Sequence, residues 1–230
     1  MKIRAGVRGA VTEVVIIVVG IGLAFSADAW WDGRQQDARA REHLASLVRD
    51  FEQMSARADS SLMTAARAVA AGTKLQEGFN ENGTPLEADS AVSWVSQLLT
   101  YEVFSPSIGG YEALVASGEL EHLGDQELKR RLGEFFGSFD DVRVSEQFLA
   151  NAQVQLIGGE TFARLVGAQR ILGPFLEGFP TSAGTPIDQW GSSPVLVNGF
   201  AQLTMCQNAV IEDYRYLKAR VDEIQVLLGG

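Results

Sequence analysis

The sequence predicts an all-α protein in which an N-terminal transmembrane helix continues into a long helical stalk and an antiparallel helical bundle. Three observations predict it: an apolar stretch near the N-terminus, apolar residues that later recur at helical spacing, and no run that alternates polar and apolar residues as a strand would. We expect a cytoplasmic tail over residues 1–10, a transmembrane helix over 11–31 and an exported helical bundle domain over 32–230.

Composition excludes several classes of protein. The chain has 230 residues, of which 46% are hydrophobic and 21% charged, as in an ordinary folded protein. Its single cysteine cannot form a disulfide within the chain. The net charge of -10 argues against nucleic acid as a partner, because that affinity depends on Lys and Arg neutralising phosphates.

The segment 11–31 reads VTEVVIIVVGIGLAFSADAWW. A helix of about 20 residues rising 1.5 Å each matches a hydrocarbon core of roughly 30 Å. Trp30 and Trp31 are then interface anchors at the far headgroup layer, so the lipid bilayer is a predicted partner. Two alternatives stay open: a cleaved signal peptide, with the small residues between 24 and 29 as cleavage region, and a buried helix of a soluble domain.

Basic residues flank the segment on both sides. Lys2, Arg4 and Arg8 precede it, and Arg34, Arg39 and Arg41 follow it. Because these counts balance, the orientation depends on the N-terminal amine and the short leading tail. We expect a single-pass protein of the bacterial inner membrane with a cytoplasmic N-terminus and a periplasmic bulk.

One face of the segment favours helix association. Glu13, Ile17, Gly20 and Ala24 follow one another at steps of three and four. Two small residues at the spacing of Gly20 and Ala24 let two helices in lipid approach closely. This face predicts contact with a protein partner or with a second copy of the chain. The alternative is a lone anchor on which Glu13 reaches the headgroups.

Beyond the segment, helical spacing predicts three long helices and two or three short ones. The stalk carries a stripe from Leu44 to Val69 and ends near Gly72 and Gly78. Asp89 or Ser90 is the expected N-cap of a short helix, Gly118 the C-cap of another, and Asp125 the N-cap of a long helix that extends to Ile157. A short helix over 160–172 ends at Gly173-Pro174, and 175–194 form a surface loop. Pro194 begins the last helix, whose stripe is Leu196, Phe200, Leu203, Cys206, Val210, Tyr214, Leu217, Val221, Ile224 and Leu228.

Two patches carry a family resemblance. In the first, Glu13 leads into an apolar run with Gly20, Gly22, Leu23 and Ala24, followed by Asp28-Ala29-Trp30; the second holds Tyr111-Glu112-Ala113-Leu114, Ser117-Gly118, Leu120 and Leu128. They resemble an uncharacterised bacterial family of single-span membrane proteins with a domain of unknown function. The chain departs from that family at Asp28 and Trp31, since members tend to have Asn around the Trp. The resemblance implies an envelope location and a helical soluble domain, and it brings no activity or site residues.

Few side chains suggest chemistry. His43 lies on a charged helical stretch and is expected to be solvated, and Glu119-x-x-His122 is a single copy of a motif that a di-metal site in a bundle needs twice. Cys206 fits a small buried hydrophobe, and Asp140-Asp141 are expected to be solvated. We therefore predict no catalytic, cofactor or metal site.

These patterns favour a membrane-anchored helical interaction or assembly module of the bacterial cell envelope, without catalysis. The alternative is a ligand-sensing helical bundle domain that binds a small molecule in its core. The tail that precedes the apolar segment offers no output domain for a sensor, which favours the interaction module.

Overall fold

A computed structural model describes residues 3–80, 85–122, 125–167, 171 and 184–229; the side chains of residues 1–18, 29, 32, 36, 37, 40, 121 and 122 lie outside that description. All regular secondary structure in this part of the chain is helical, which confirms the all-α prediction. The α-helices are α1 Ile3–Phe79, α2 Ala88–Leu98, α3 Gly109–Ser117, α4 Gln126–Gly137, α5 Phe139–Ile157, α6 Glu160–Leu165 and α7 Pro194–Gly229, with 3₁₀ helices at Glu119–His122 and Ile187–Gln189.

The chain divides into two compact units. Unit 1 comprises Met1–Leu47 and Ile108–His122, and unit 2 comprises Val48–Ser107 and Leu123–Gly230. The predicted domain boundaries at residues 10 and 31 stay predictions.

The predicted transmembrane helix is not supported by the described residues. Helix α1 passes through 11–31, but the side chains of 11–18 lie outside the description. Within the described part, no helix combines the length and the hydropathy that a membrane span requires.

Unit 2 is a helical bundle, as predicted. Gln76 Nε2 in α1 donates to Thr204 Oγ1 in α7 over 3.1 Å, while Asp59 lies 3.9 Å from Lys218 Nζ. Residue numbers therefore rise along α1 as they fall along α7, so these helices are antiparallel. Tyr214 beside Glu146, together with Gly199 beside Leu156, gives the same relation between α5 and α7.

The predicted apolar stripes form the core. In α7 the buried members are Leu196, Phe200, Leu203, Val210, Tyr214, Leu217, Val221 and Ile224. In α1 they are Leu47, Phe51, Met54, Ala58 and Ala65, whereas Leu62 and Val69 are half-buried. The buried face of α1 passes instead through Ser61, Ala68 and Leu75, which keep the 3.6-residue period more closely.

Two of the three predicted caps are confirmed. Gly118 ends α3 in the left-handed region at φ 73°, which a residue without Cβ adopts at no steric cost. Asp125 Oδ1 accepts hydrogen bonds from the backbone N–H groups of Glu127 (2.9 Å) and Leu128 (3.1 Å). The third was wrong: Glu87 precedes α2 without a side-chain cap, and Asp89 lies in the first turn, where its charge favours the helix dipole.

The single helix predicted over 125–157 is two helices. It is interrupted at Ser138, whose hydroxyl donates to the carbonyl of Phe135 over 2.7 Å. Such a local bond competes with the backbone ladder, and Gly137 just before it has a low helix propensity. Helix α5 does end at Ile157, as predicted.

The surface loop predicted over 175–194 is partly wrong. Residues 175–183 and the predicted stop at Gly173-Pro174 lie outside the description. The described remainder holds a 3₁₀ helix and Trp190, which is fully buried and donates from Nε1 to the carbonyl of Leu165 over 2.9 Å. A dense set of Gly and Pro residues indicates an irregular backbone but does not show whether a nearby Trp is buried. Pro194 begins α7 as predicted.

Gly72 is a position of close helix approach. A Cβ there would lie 3.1 Å from Cβ of Thr204 and 3.2 Å from Cδ1 of Leu98. We expect Gly72→Ala to lower the free energy of unfolding by about 1–3 kcal/mol, the usual range for overpacking. Urea unfolding checks this, with Gly133→Ala as control, since a Cβ at Gly133 meets nothing within 4 Å. The control should gain about 0.5–1 kcal/mol in helix propensity, and an equal gain at Gly72 would contradict the close approach.

Candidate interaction surface

An irregular segment of unit 2, residues 99–107, is here called the strap. It follows α2 and contains no helix or strand. Backbone N–H and C=O groups that leave water need partners, and a segment without secondary structure must find them elsewhere. Side chains from α1, α5 and α7 supply them.

Two glutamines hold the beginning of the strap. Gln207 Nε2 in α7 donates to the carbonyls of Leu98 (3.3 Å) and Thr100 (3.2 Å). Gln153 Nε2 in α5 donates to the carbonyl of Leu99 over 3.2 Å. Gln207 is fully buried and Gln153 nearly so, so these bonds form away from water. Each stabilises the fold by about 1 kcal/mol net and costs more if broken on one side.

A buried Glu–Tyr pair holds the middle of the strap. Glu146 Oε1 accepts from the N–H of Phe104 over 2.8 Å, and Tyr214 Oη lies 2.6 Å from both Glu146 Oε1 and the carbonyl oxygen of Glu102. Burial, reinforced by the hydrogen bond with Glu146, raises the pKa of Tyr214 far above its ordinary value. The phenol therefore keeps its proton at any physiological pH.

Side chains of α1 hold the other side of the strap. Ser107 Oγ donates to Asp50 Oδ1 over 2.7 Å, and Ser60 Oγ donates to Glu102 Oε2 over 3.0 Å. The Arg57 guanidinium donates to the carbonyl of Ser105. Bonds from three helices thus fix the strap along its length.

The strap presents two apolar side chains beside α5. Tyr101 and Val103 are 38% and 56% exposed, whereas Phe104 is buried against the rings of Phe139 and Tyr214. A shallow cleft of about 310 Å³ separates the strap from α5. Its lining is Tyr101, Val103, Arg143, Glu146, Gln147 and Ala150.

From residue 144 onward, the outward side of α5 exposes three apolar side chains among the amides of Gln147, Asn151 and Gln155. Val144, Phe148 and Val154 are 52%, 66% and 71% exposed. From Val144 to Gly159 the only charged residue in the sequence is Glu146, which is buried. We call Val144, Phe148 and Val154 the α5 face.

The outer side of α4 and part of that of α7 carry charged networks. Arg130 in α4 pairs with Glu127 and Glu134, and Arg131 reaches Glu223 of α7 over 2.8 Å. Hydrogen bonds from Arg130 and Arg131 hold the pKa of the exposed Glu127 at about 2. Charged networks of this kind favour a surface that stays exposed to solvent. Among the described residues, none lies on the α5 face.

The structure describes only two of the four residues predicted for helix association. The side chains of Glu13 and Ile17 lie outside the description. Gly20 and Ala24 are exposed, and a Cβ at Gly20 meets nothing within 4 Å. That face therefore stays a prediction.

The predicted interface anchors are also exposed. Trp30 and Trp31 are 60% and 61% exposed, and the Arg34 guanidinium lies 5.1 Å from the centre of the Trp30 ring. Their role at a membrane interface stays a prediction.

His43 is not the freely solvated residue that its charged neighbours suggested. Its side chain is 28% exposed, and its Nε2 lies 3.6 Å from Glu119 Oε2 within unit 1. The left-handed cap at Gly118 turns the chain just before Glu119. The approach of Glu119 to His43 joins distant positions, so the local sequence does not reveal it.

The His122 side chain lies outside the description. Across the side chains that are described, no three His, Cys, Asp or Glu residues come together as metal ligands.

Asp140 and Asp141 are exposed, as predicted. They lie in the first turn of α5, and Asp140 approaches Arg143 only at 4.0 Å. Their carboxylates face water and interact favourably with the helix dipole at the N-terminal end of α5.

Cys206 lies on the α7 stripe but is only partly buried. Desolvation raises the pKa of its thiol above the ordinary value, which lowers the thiolate fraction at neutral pH. We expect iodoacetamide to alkylate it more slowly at pH 7.5 than in the urea-unfolded chain, and the pH midpoint of the rate to shift upward on folding. Mass spectrometry at timed intervals measures both, and an equal or faster rate in the folded protein would contradict the burial.

The residues that hold the strap do not stand out in the sequence. Glu146 and Gln153 occupy positions on the buried side of α5 with Val142 and Leu149, and Gln207 lies beside the α7 stripe. The available signal was a polar residue at an apolar-stripe position, which often indicates a buried hydrogen-bond network. What each one binds depends on the path of the strap, which the sequence does not show.

Comparison of the chain with protein families, with curated proteins and with solved structures finds no match. The family resemblance of the two sequence patches therefore stays a prediction.

Proposed function

We propose that this protein is a membrane-anchored helical interaction module of the bacterial cell envelope, and that the α5 face is its contact surface for a protein partner. The observation that carries the proposal is the exposed, uncharged run of α5 around Phe148. This run extends from Val144 to Gly159 in a chain whose net charge is -10.

The composition of the α5 face matches that of the centre of protein interfaces. Such centres lack charge and are enriched in aromatic residues, whereas their rims are polar. Here Phe148 is the aromatic member, and the neutral amides of Gln147, Asn151 and Gln155 surround it.

The anchor is proposed from the N-terminal sequence and from exposure. Val19, Ile21, Leu23 and Phe25 are each more than half exposed on α1. Apolar side chains exposed along a helix favour transfer to an apolar environment, at about 25 cal/mol for each Å² covered. A lipid bilayer, with the preceding apolar residues 14–18 also inserted, supplies that environment. The N-terminus would then be cytoplasmic and unit 2 periplasmic.

Association within the membrane adds to this proposal. Helices in lipid gain nothing by hiding apolar surface, so close packing over Gly20 and Ala24 has to supply the attraction. A protonated Glu13 carboxyl can add a hydrogen bond of about 1 kcal/mol across the contact.

The α5 face is tested by chemical crosslinking in native membranes. Phe148→Glu places a charge at the centre of the face, so we expect crosslinked bands to fall at least tenfold. Tyr216→Glu is the matched control, because Tyr216 is 51% exposed on the charged side of α7. Both variants should melt within a few degrees of the wild type, since neither residue is in the core. Unchanged bands in Phe148→Glu would contradict the proposed surface.

The anchor and its orientation are tested separately. Protease added to intact spheroplasts should digest unit 2, and alkaline carbonate should leave the chain in the membrane pellet. A mature N-terminus near Ala27 would show a cleaved signal peptide instead. Protection of unit 2 until the membrane is lysed would contradict the orientation.

A further inference from the structure

We propose that the cleft between the strap and α5 binds a small α-amino acid with an apolar side chain. The ammonium group of this ligand would pair with Glu146, and its carboxylate would pair with Arg143. The cleft and the α5 face have no residue in common, so either proposal can fail without the other.

The first observation is a nearly buried carboxylate with one oxygen left over. Glu146 is only 6% exposed, and its hydrogen bonds with Phe104 and Tyr214 both use Oε1. In the described part of the chain, Oε2 makes no hydrogen bond, and it stays open to the cleft that Glu146 lines. A carboxylate withdrawn from water is costly without a compensating cation. The ammonium group of a ligand supplies that charge.

The second observation is a guanidinium on the same cleft without a close partner. Arg143 lies three positions before Glu146 on α5, a spacing at which opposite charges often pair. Among the described residues no ion pair joins the two, and the approach of Arg143 to Asp140 reaches only 4.0 Å. The cleft therefore offers one negative and one positive group that do not neutralise each other.

The third observation is the size and the remaining lining of the cleft. Pockets for drug-sized ligands begin at about 300 Å³, so a cleft of about 310 Å³ suits a smaller molecule. Tyr101, Val103 and Ala150 contribute apolar surface to it. An apolar side chain of the ligand can pack there and leave water.

These features together define the chemical class of the ligand. An α-amino acid carries an ammonium group and a carboxylate on adjacent carbons, with a side chain beside them. Glu146 and Arg143 complement the two charges, and Arg143 can hold the carboxylate with two parallel N–H donors. The Gln147 amide, which also lines the cleft, adds a neutral acceptor for the ammonium group.

Isothermal titration of the full detergent-solubilised chain with L-leucine tests the site. We expect one saturable site with a dissociation constant of about 1 mM or lower. Two matched ligands test the two charges separately: N-acetyl-L-leucine lacks the ammonium group, and L-leucinamide lacks the carboxylate. Each should bind at least about tenfold more weakly than leucine, because each loses a charge-assisted hydrogen bond.

Variants assign each charge to its residue. Arg143→Gln should weaken leucine to the affinity of leucinamide and leave the binding of leucinamide unchanged. Its side chain is 78% exposed, so the fold should not depend on it. Glu146→Gln should weaken both ligands, with circular dichroism to check that the variant is folded. Arg164→Gln, an exposed cation of α6 outside the cleft, is the control and should bind leucine like the wild type.

Three results would overturn the site. The first is the absence of a saturable signal with leucine up to about 10 mM. The second is leucinamide binding as tightly as leucine, which would mean that the cleft recognises an ammonium group alone, such as a lysine of a protein partner. The third is Arg143→Gln binding leucine as tightly as the wild type.

Discussion

Replacing Trp190 by alanine is expected to lower the free energy of unfolding by about 3–5 kcal/mol, the range for removing a fully buried large side chain. Trp190 is 0% exposed and is among the largest fully buried side chains. Its indole also donates to the Leu165 carbonyl, which ties the segment that precedes α7 to α6. Alanine leaves a cavity and removes this tie. Urea unfolding followed by far-UV circular dichroism measures the loss.

Two controls separate volume from hydrogen bonding at this site. Trp190→Phe keeps most of the apolar volume but has no indole N–H, so it should cost less than alanine. Trp31→Ala removes a Trp that is 61% exposed and should change the unfolding free energy by less than about 0.5 kcal/mol. A loss below 1 kcal/mol for Trp190→Ala would contradict the burial of this ring.

Removing the Glu146 carboxylate is expected to cost about 2–3 kcal/mol, because it leaves the N–H of Phe104 buried and unpaired. Glu146→Gln keeps an acceptor oxygen and should cost less than Glu146→Ala. Gln147→Ala, at the exposed neighbouring position, should be within about 0.5 kcal/mol of the wild type.

The network also predicts coupling between Glu146 and Tyr214. Tyr214 Oη lies 2.6 Å from Glu146 Oε1, so Glu146→Ala and Tyr214→Phe remove parts of one interaction. A double-mutant cycle should give an interaction energy of about 0.5–3 kcal/mol. Strict additivity, or Glu146→Ala within 0.5 kcal/mol of the wild type, would show that the strap is held by other contacts.

The helices were predictable because their signals are local. Asp125 and Gly118 cap helices where the sequence indicated, since a cap depends on one side chain or one backbone conformation. The α7 stripe was equally readable, because a 36-residue helix repeats its period many times. The break at Ser138 was missed because a competing hydroxyl bond can end a helix without Pro or a pair of Gly residues.

The candidate sites depend on tertiary placement, so the sequence indicates them less well. An outward Phe148 and an inward Leu149 are adjacent apolar residues, and only the packing of α5 against α7 decides which one is exposed. The cleft joins Tyr101 of the strap to Arg143 of α5, two positions far apart in sequence. Neither relation appears in any local period.

The most direct test of the proposed function is photo-crosslinking from position 148 in native membranes. A photoreactive phenylalanine analogue in place of Phe148 should form one discrete adduct of defined mass, which Val144→Glu on the same face abolishes. The same analogue at Tyr216 should form no such adduct. A protein that interacts through the α5 face predicts this difference, and equal labelling from the two positions, or no adduct from position 148, would contradict it.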